Sequence, residues 1–174
     1  MEIKYFNSNF DKITQNKDTD QSITNLIEKL PSLNIVSDKN LLEETIKISK
    51  QFKEKKEKII VFGTGGSNLG ARALNNIISN NKIILEFYDH VDPINFEKNF
   101  QNINFELTGF LVISKSGTTP ETLSQFSCLY QKATEANKVE AFFSNTLIIT
   151  EFKESPLFKI AKDNNCLLLE HHKD

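Results

Sequence analysis

The sequence predicts an α/β fold: a three-layer sandwich with a five-stranded parallel sheet between helices. Two observations carry that prediction. From residue 59 onward, short apolar runs recur ("KIIVFG", "KIILEFYD", "TGFLVIS", "NTLIITE", "NCLLLE"), and segments of helical length and pattern separate them. The runs are also apolar without alternation, which suits strands buried on both faces. Such strands pair in parallel and need helical crossovers that cover the sheet. At 174 residues and 39% apolar content, the chain is large enough for one domain with a real core.

Two helices precede the first strand. "TDQSITNLIEKL" places Ile23, Leu26, Ile27 and Leu30 on one helical face and stops at Pro31. "SDKNLLEETIKISKQFKEKKEK" opens with the cap-forming residues Ser37 and Asp38 and keeps a helical period. Residues 1–50 are expected to form this helical preamble, packed on the same domain that residues 51–174 build. Between the strands, helices are expected over 67–79, 93–100, 119–136 and 154–164. The third starts at Thr119 as N-cap, with Pro120 at the first helical position and Glu121 in the first turn, each favoured where backbone N–H groups are unpaired.

Charge and composition narrow the function. The formal net charge of −2 and the interleaving of lysines with acids leave no basic footprint for nucleic acid or an anionic membrane surface. The apolar runs are too short to span a membrane, and "MEIKYFNSNFDK" has no leader-like pattern, so the expectation is a cytoplasmic protein. Cys128 and Cys166 lack metal or disulfide spacing and are expected to be free, small buried side chains. His171 and His172 are adjacent and point to opposite sides of an extended segment, so no metal site is assigned.

The chemistry concentrates in two loops. After the first strand comes "GTGGSNLGARAL", in which Gly63, Gly65 and Gly66 permit a tight turn and close backbone approach before a helix that starts near Ser67. Backbone N–H groups at such a helix start bind a phosphate without a basic side chain. Gly70, Ala71 and Ala73 are expected to let that helix pack close to the sheet. A nucleotide-hydrolysing loop would need Lys-Ser/Thr after its last glycine, where Ala71 and Arg72 stand. A dinucleotide fingerprint would need glycine at 68, where Asn68 stands, although Asp89 at the end of the second strand keeps that reading open. Arg72, the chain's one arginine, reads as half of a structural ion pair.

The second loop follows the third strand. "ISKSGTTPET" supplies Ser114, Lys115, Ser116, Thr118 and Thr119, more polar groups than a capped turn requires. With strand order 2-1-3-4-5, strands one and three are neighbours at the switch point, and both loops open onto one crevice. Lys115 reads equally as a phosphate partner or a solvent-facing charge.

"GTGGSNLGARAL" and "VISKSGTTPETL" resemble the two signatures of the sugar isomerase (SIS) domains of the glucose-6-phosphate isomerase family, and "YDHVDPINF" resembles the segment after the family's second strand. The resemblance covers the chain from about residue 40. It implies a flavodoxin-like SIS domain, with Gly66 and Ser67 touching substrate and Ser114, Lys115, Ser116 and Thr119 forming the phosphate cradle. Glu121 would support a ring-opening histidine, or else complement the helix dipole.

The resemblance further implies interconversion of glucose 6-phosphate and fructose 6-phosphate through an enediol. That chemistry calls for a general acid and base and for no metal or organic cofactor. The family's second SIS domain, with its catalytic glutamate and histidine loop, is absent from these 174 residues, so the sequence is expected to be a fragment that grips phosphate but lacks the base. A homodimer is expected for the full-length family. The competing reading is a non-catalytic SIS module that senses a phosphosugar, and a third is dinucleotide binding.

Overall fold

The computed structural model describes residues 17–30, 35–78 and 82–172. Pro31 and the two chain ends lie outside the described residues. The chain divides into two units, Met1–Leu42 and Glu43–Lys173. The first contains α1 (Lys17–Lys29) and a 3-10 turn at Ile35–Ser37, followed by the start of α2 (Lys39–Phe52). Asp38 caps α2, its Oδ1 accepting from the N–H groups of Asn40 (2.9 Å) and Leu41 (3.0 Å).

The second unit carries the sheet: β1 (Lys58–Phe62), β2 (Ile84–Tyr88), β3 (Thr108–Ile113), β4 (Thr146–Thr150) and β5 (Leu167–Glu170). All pairings are parallel and the order is 2-1-3-4-5. The crossovers are α3 (Gly66–Ile77), α4 (Pro93–Asn99), α5 (Pro120–Glu135) with the short α6 (Val139–Ser144), and α7 (Pro156–Asp163). In the β1–β3 register Phe62 lies beside Val112, so Gly63 and Ile113 leave the sheet side by side. That register brings the two polar loops to the same end of neighbouring strands.

Each sheet face has its own apolar cluster. One gathers Ile60, Phe62, Phe110, Val112, Ile148, Phe126, Leu129 and Phe142. It unites strands with α4, α5, α6 and α7. The other is smaller, with Phe52 of α2 against Ile59, Val61, Leu147 and Leu169. Gly109 leaves room for the Phe52 ring, since a Cβ on it would come within 2.9 Å of that ring.

One helix is added to those expected, and two expectations are corrected. The stretch from 137 to 145 contains α6, whose Phe142 is fully buried; a six-residue helix is too short for periodicity to reveal. Gly70, Ala71 and Ala73 do not face the sheet: all three are exposed, and the least exposed positions of α3 are Ser67, Asn68 and Asn75. The phase of α3 is set by the fully buried Asn68, whose Nδ2 donates to the Gly63 carbonyl (3.1 Å). This turns Leu69, Leu74 and Ile77 outward, at 60%, 60% and 77% exposure. Finally, Cys166 is buried but Cys128 is exposed, because it lies on the outer side of α5, away from Phe126 and Leu129.

Candidate functional site

Loop 1 spans Gly63–Ser67. Gly65 has φ +53°, a left-handed conformation that glycine adopts without strain. A Cβ on Gly63 would press on Ser67 Cβ at 3.1 Å and on the Ile113 carbonyl at 3.3 Å, which measures how closely loop 1 passes the end of β3. At Gly65 and Gly66 a Cβ would meet nothing within 4 Å, so that stretch of backbone is open to approach. The N–H groups of Ser67 and Asn68 donate into the turn, to Thr64 O (3.2 Å) and Gly65 O (3.1 Å).

Loop 2, Ser114–Thr119, is clamped from below. The Lys115 carbonyl accepts from Glu151 N (3.1 Å) and Thr150 Oγ1 (3.3 Å), and the Gly117 carbonyl accepts from Leu157 N (3.2 Å). Gly117 has φ +68°, and a Cβ there would overlap the Ser155 side chain, with Ser155 Cβ at 2.8 Å. Ser155 is itself the N-cap of α7, accepting from Phe158 N (3.3 Å). Sequence reasoning missed Gly117, Thr150 and Ser155 as the supports of this loop. The Ser155-Pro156 pair carries a cap signal, but only the fold shows that it meets Gly117.

The hydroxyls of loop 2 are bonded to one another and to its backbone. Ser114 is 3% exposed; its Oγ accepts from Gly117 N (3.2 Å) and lies 2.8 Å from Thr119 Oγ1. A hydroxyl has one proton, and in this pair either oxygen can be the donor. Thr119 is half-buried, so its side of the hydroxyl pair faces out of the loop. Ser116 Oγ accepts twice, from Thr118 N (3.2 Å) and Thr118 Oγ1 (3.0 Å), which leaves its own proton to donate.

Thr119 is the N-cap residue of α5, as expected, but its hydroxyl makes no capping bond, and Gly65 supplies none to α3. The first-turn N–H groups of a helix have no intrahelical acceptor. Two helix starts thus stand at adjacent strand ends without side-chain caps, in a chain of net charge −2; the Ser67 and Asn68 N–H groups of α3 already donate into their turn, so the start of α5 is the one better suited to an anion.

The remaining candidates are placed as follows. Gly66 and Glu121 are exposed; Ser67, Lys115 and Ser116 are half-buried. Arg72 pairs with Asp89 (3.2 Å), the structural role expected of it. Asp89 also meets His90 Nδ1 (3.1 Å), so its carboxylate is engaged with protein groups where a dinucleotide reading needs it for a ribose. His171 accompanies the end of β5, its N–H donating to Thr150 O (2.9 Å). A cleft of 360 Å³, lined by Val91, Phe96, Gln125, Cys128 and Lys132, lies between α4 and α5. No helix among the described residues is long and apolar enough to cross a membrane.

The family model described as phosphoglucose isomerase matches residues 17–167. The glucose-6-phosphate isomerase of Campylobacter jejuni is 35% identical over 95 residues, covering 53% of this chain and 23% of that enzyme. That of Thermus thermophilus is 28% identical over 122 residues, covering 68% and 29% respectively. Among solved structures, a hypothetical protein of Thermus thermophilus superposes with TM-score 0.65 at 25% identity, covering 75% of this chain and 32% of its own. A glucose-6-phosphate isomerase of Chlamydia trachomatis shares the fold, with TM-score 0.63 at 23% identity over 76% of this chain and 26% of its own. The chain thus spans less than a third of the length of these relatives.

Proposed function

Because the chain belongs to the phosphoglucose isomerase family, we propose that its two loops hold the phosphate of a hexose 6-phosphate, as the substrate-anchoring part of an isomerase that interconverts glucose 6-phosphate and fructose 6-phosphate. The observation that carries this reading is the wiring of loop 2. Ser116 keeps a hydroxyl proton to donate, and the Ser114–Thr119 hydroxyl pair presents the half-buried Thr119, next to the open backbone at Gly65 and Gly66. Ser114 is buried and acts by aligning Thr119. Ser67 contributes from the start of α3, and Lys115 adds a charge-assisted contact to the dianion.

The phosphate is the unreactive end of the substrate. Its binding fixes C1 and C2 relative to the groups that move the proton between them, and that positioning is a large share of such catalysis. Transfer through an enediol requires a base and an acid at those carbons. The two loops offer donors for an anion and one carboxylate, the exposed Glu121 on the first turn of α5. In this reading Glu121 orients a histidine during ring opening, and the base that moves the proton comes from outside these 174 residues. The protein works in the cytoplasm on a small sugar phosphate, as a homodimer in its full-length form.

Titration calorimetry tests the binding. Glucose 6-phosphate and fructose 6-phosphate are expected to bind and glucose is not, with Thr119→Ala weakening affinity by about tenfold, or about 1.4 kcal/mol. Equal affinity in Thr119→Ala and wild type sinks the site. Turnover of the 174-residue chain at an ordinary enzymatic rate overturns the placement of the base elsewhere.

A further inference from the structure

We infer that Gln125 is a positioning residue that couples the exit of β2, and through it loop 1, to the helix that begins at loop 2. The inference rests on the phosphosugar reading only for its functional consequence. Gln125 sits in the second turn of α5, 2% exposed. Its Nε2 donates to the His90 carbonyl (2.9 Å) and, at longer range, to the Tyr88 carbonyl (3.4 Å). The Tyr88 carbonyl also accepts from Gly63 N (3.4 Å), the first residue of loop 1. Between those two carbonyls, Asp89 holds Arg72 of α3 (3.2 Å). Residues 88–90 are thus tied to loop 1 at both its entry and its following helix, and Gln125 ties the same segment to α5.

Burial of the amide at this position carries a cost. Gln125 Oε1 is buried without a hydrogen-bond partner among the described residues. Methionine would fill the volume with no unpaired acceptor. What only the amide supplies is the donation from Nε2, so that bond defines its role. The sheet already sets the distance between the two loops through the β1–β3 pairing. Gln125 adds a second, lateral constraint, fixing how α5 is rotated about its axis relative to the segment that braces loop 1. Rotation of α5 redirects Thr119 and the first-turn N–H groups together.

The test uses Gln125→Met and Gln125→Glu in the 174-residue chain, with Ile148→Val as a core-destabilised control that touches neither loop. In ligand-free protein, Gln125→Met is expected to shift the backbone amide resonances of Gly63–Ser67 and Thr118–Glu121, whereas Ile148→Val leaves them in place. In Gln125→Glu a neutral acid can still donate and a carboxylate cannot, so those resonances are expected to return toward wild type on acidification. Glucose 6-phosphate affinity is expected to fall about tenfold in Gln125→Met and to hold in Ile148→Val. Shifts confined to α5 and residues 88–90, with unchanged affinity, overturn the inference. If loop 1 moves as expected but the wild-type protein binds no hexose phosphate, the coupling stands and the phosphosugar reading falls.

Discussion

At the scale of single residues, Gly117 is where the candidate site depends most on the absence of a side chain. Its φ of +68° and the proximity of Ser155 leave no room for a Cβ. Gly117→Ala is expected to lower stability by about 2 kcal/mol or more and to weaken anion binding, measured by urea unfolding and by calorimetry. The cysteines provide a second check. Exposed Cys128 is expected to react with a thiol reagent in native protein at pH 8, and buried Cys166 only after unfolding. Burial pushes the Cys166 thiol from 9.0 to about 11. Since the folded form keeps its proton longer, that contribution to stability is complete below pH 9 and declines as pH rises through 11, by about 1.4 kcal/mol per pH unit. Wild type is therefore expected to lose stability faster than Cys166→Ala over that interval. The hydroxyl-rich loop was legible in the sequence from its density of Ser and Thr, but the pairing of its hydroxyls was not, because that depends on which hydroxyl the fold buries.

At the scale of elements, the strands were legible because each is an unbroken apolar run, and α5 because Thr119 and Pro120 mark its start. The exception, α6, is a plug in the core. Its Phe142 packs against Phe105, Phe110, Phe126 and Phe143, with ring centroids 5.1 to 6.4 Å apart. Phe142→Ala is expected to cost about 3–5 kcal/mol, as read by chemical denaturation. The opposite holds for the outer side of α3. Leu74 and Ile77 are 60% and 77% exposed, so replacing both with lysine is expected to change the stability of this chain by no more than about 0.5 kcal/mol each. A loss of several kcal/mol would show that α3 is rotated from the phase that Asn68 sets. That phase was hidden in the sequence, where small residues suggested a close approach to the sheet; a buried asparagine bonded to a strand-end carbonyl decided it.

At the scale of the whole molecule, the strand order 2-1-3-4-5 makes the site possible, since it places the ends of β1 and β3 side by side. Neighbouring parallel strands of near-equal reach deliver both loops to one edge, and two modest signals become one arrangement of donors. The sequence pattern was sufficient to anticipate this, because βαβ units admit few topologies. The lateral brace through Gln125, and the clamp on loop 2 from Thr150 and Ser155, were not foreseeable, because each joins residues more than thirty positions apart. The central claim is that loops 1 and 2 together hold a sugar phosphate. Titration of glucose 6-phosphate followed by backbone amide resonances tests it most directly. The expected result is a saturable change concentrated at Gly65, Gly66 and Ser67 and at Ser116 through Glu121, reduced in Thr119→Ala. Changes centred instead on the α4–α5 cleft around Val91 and Cys128, or no saturable change at either loop, would contradict it.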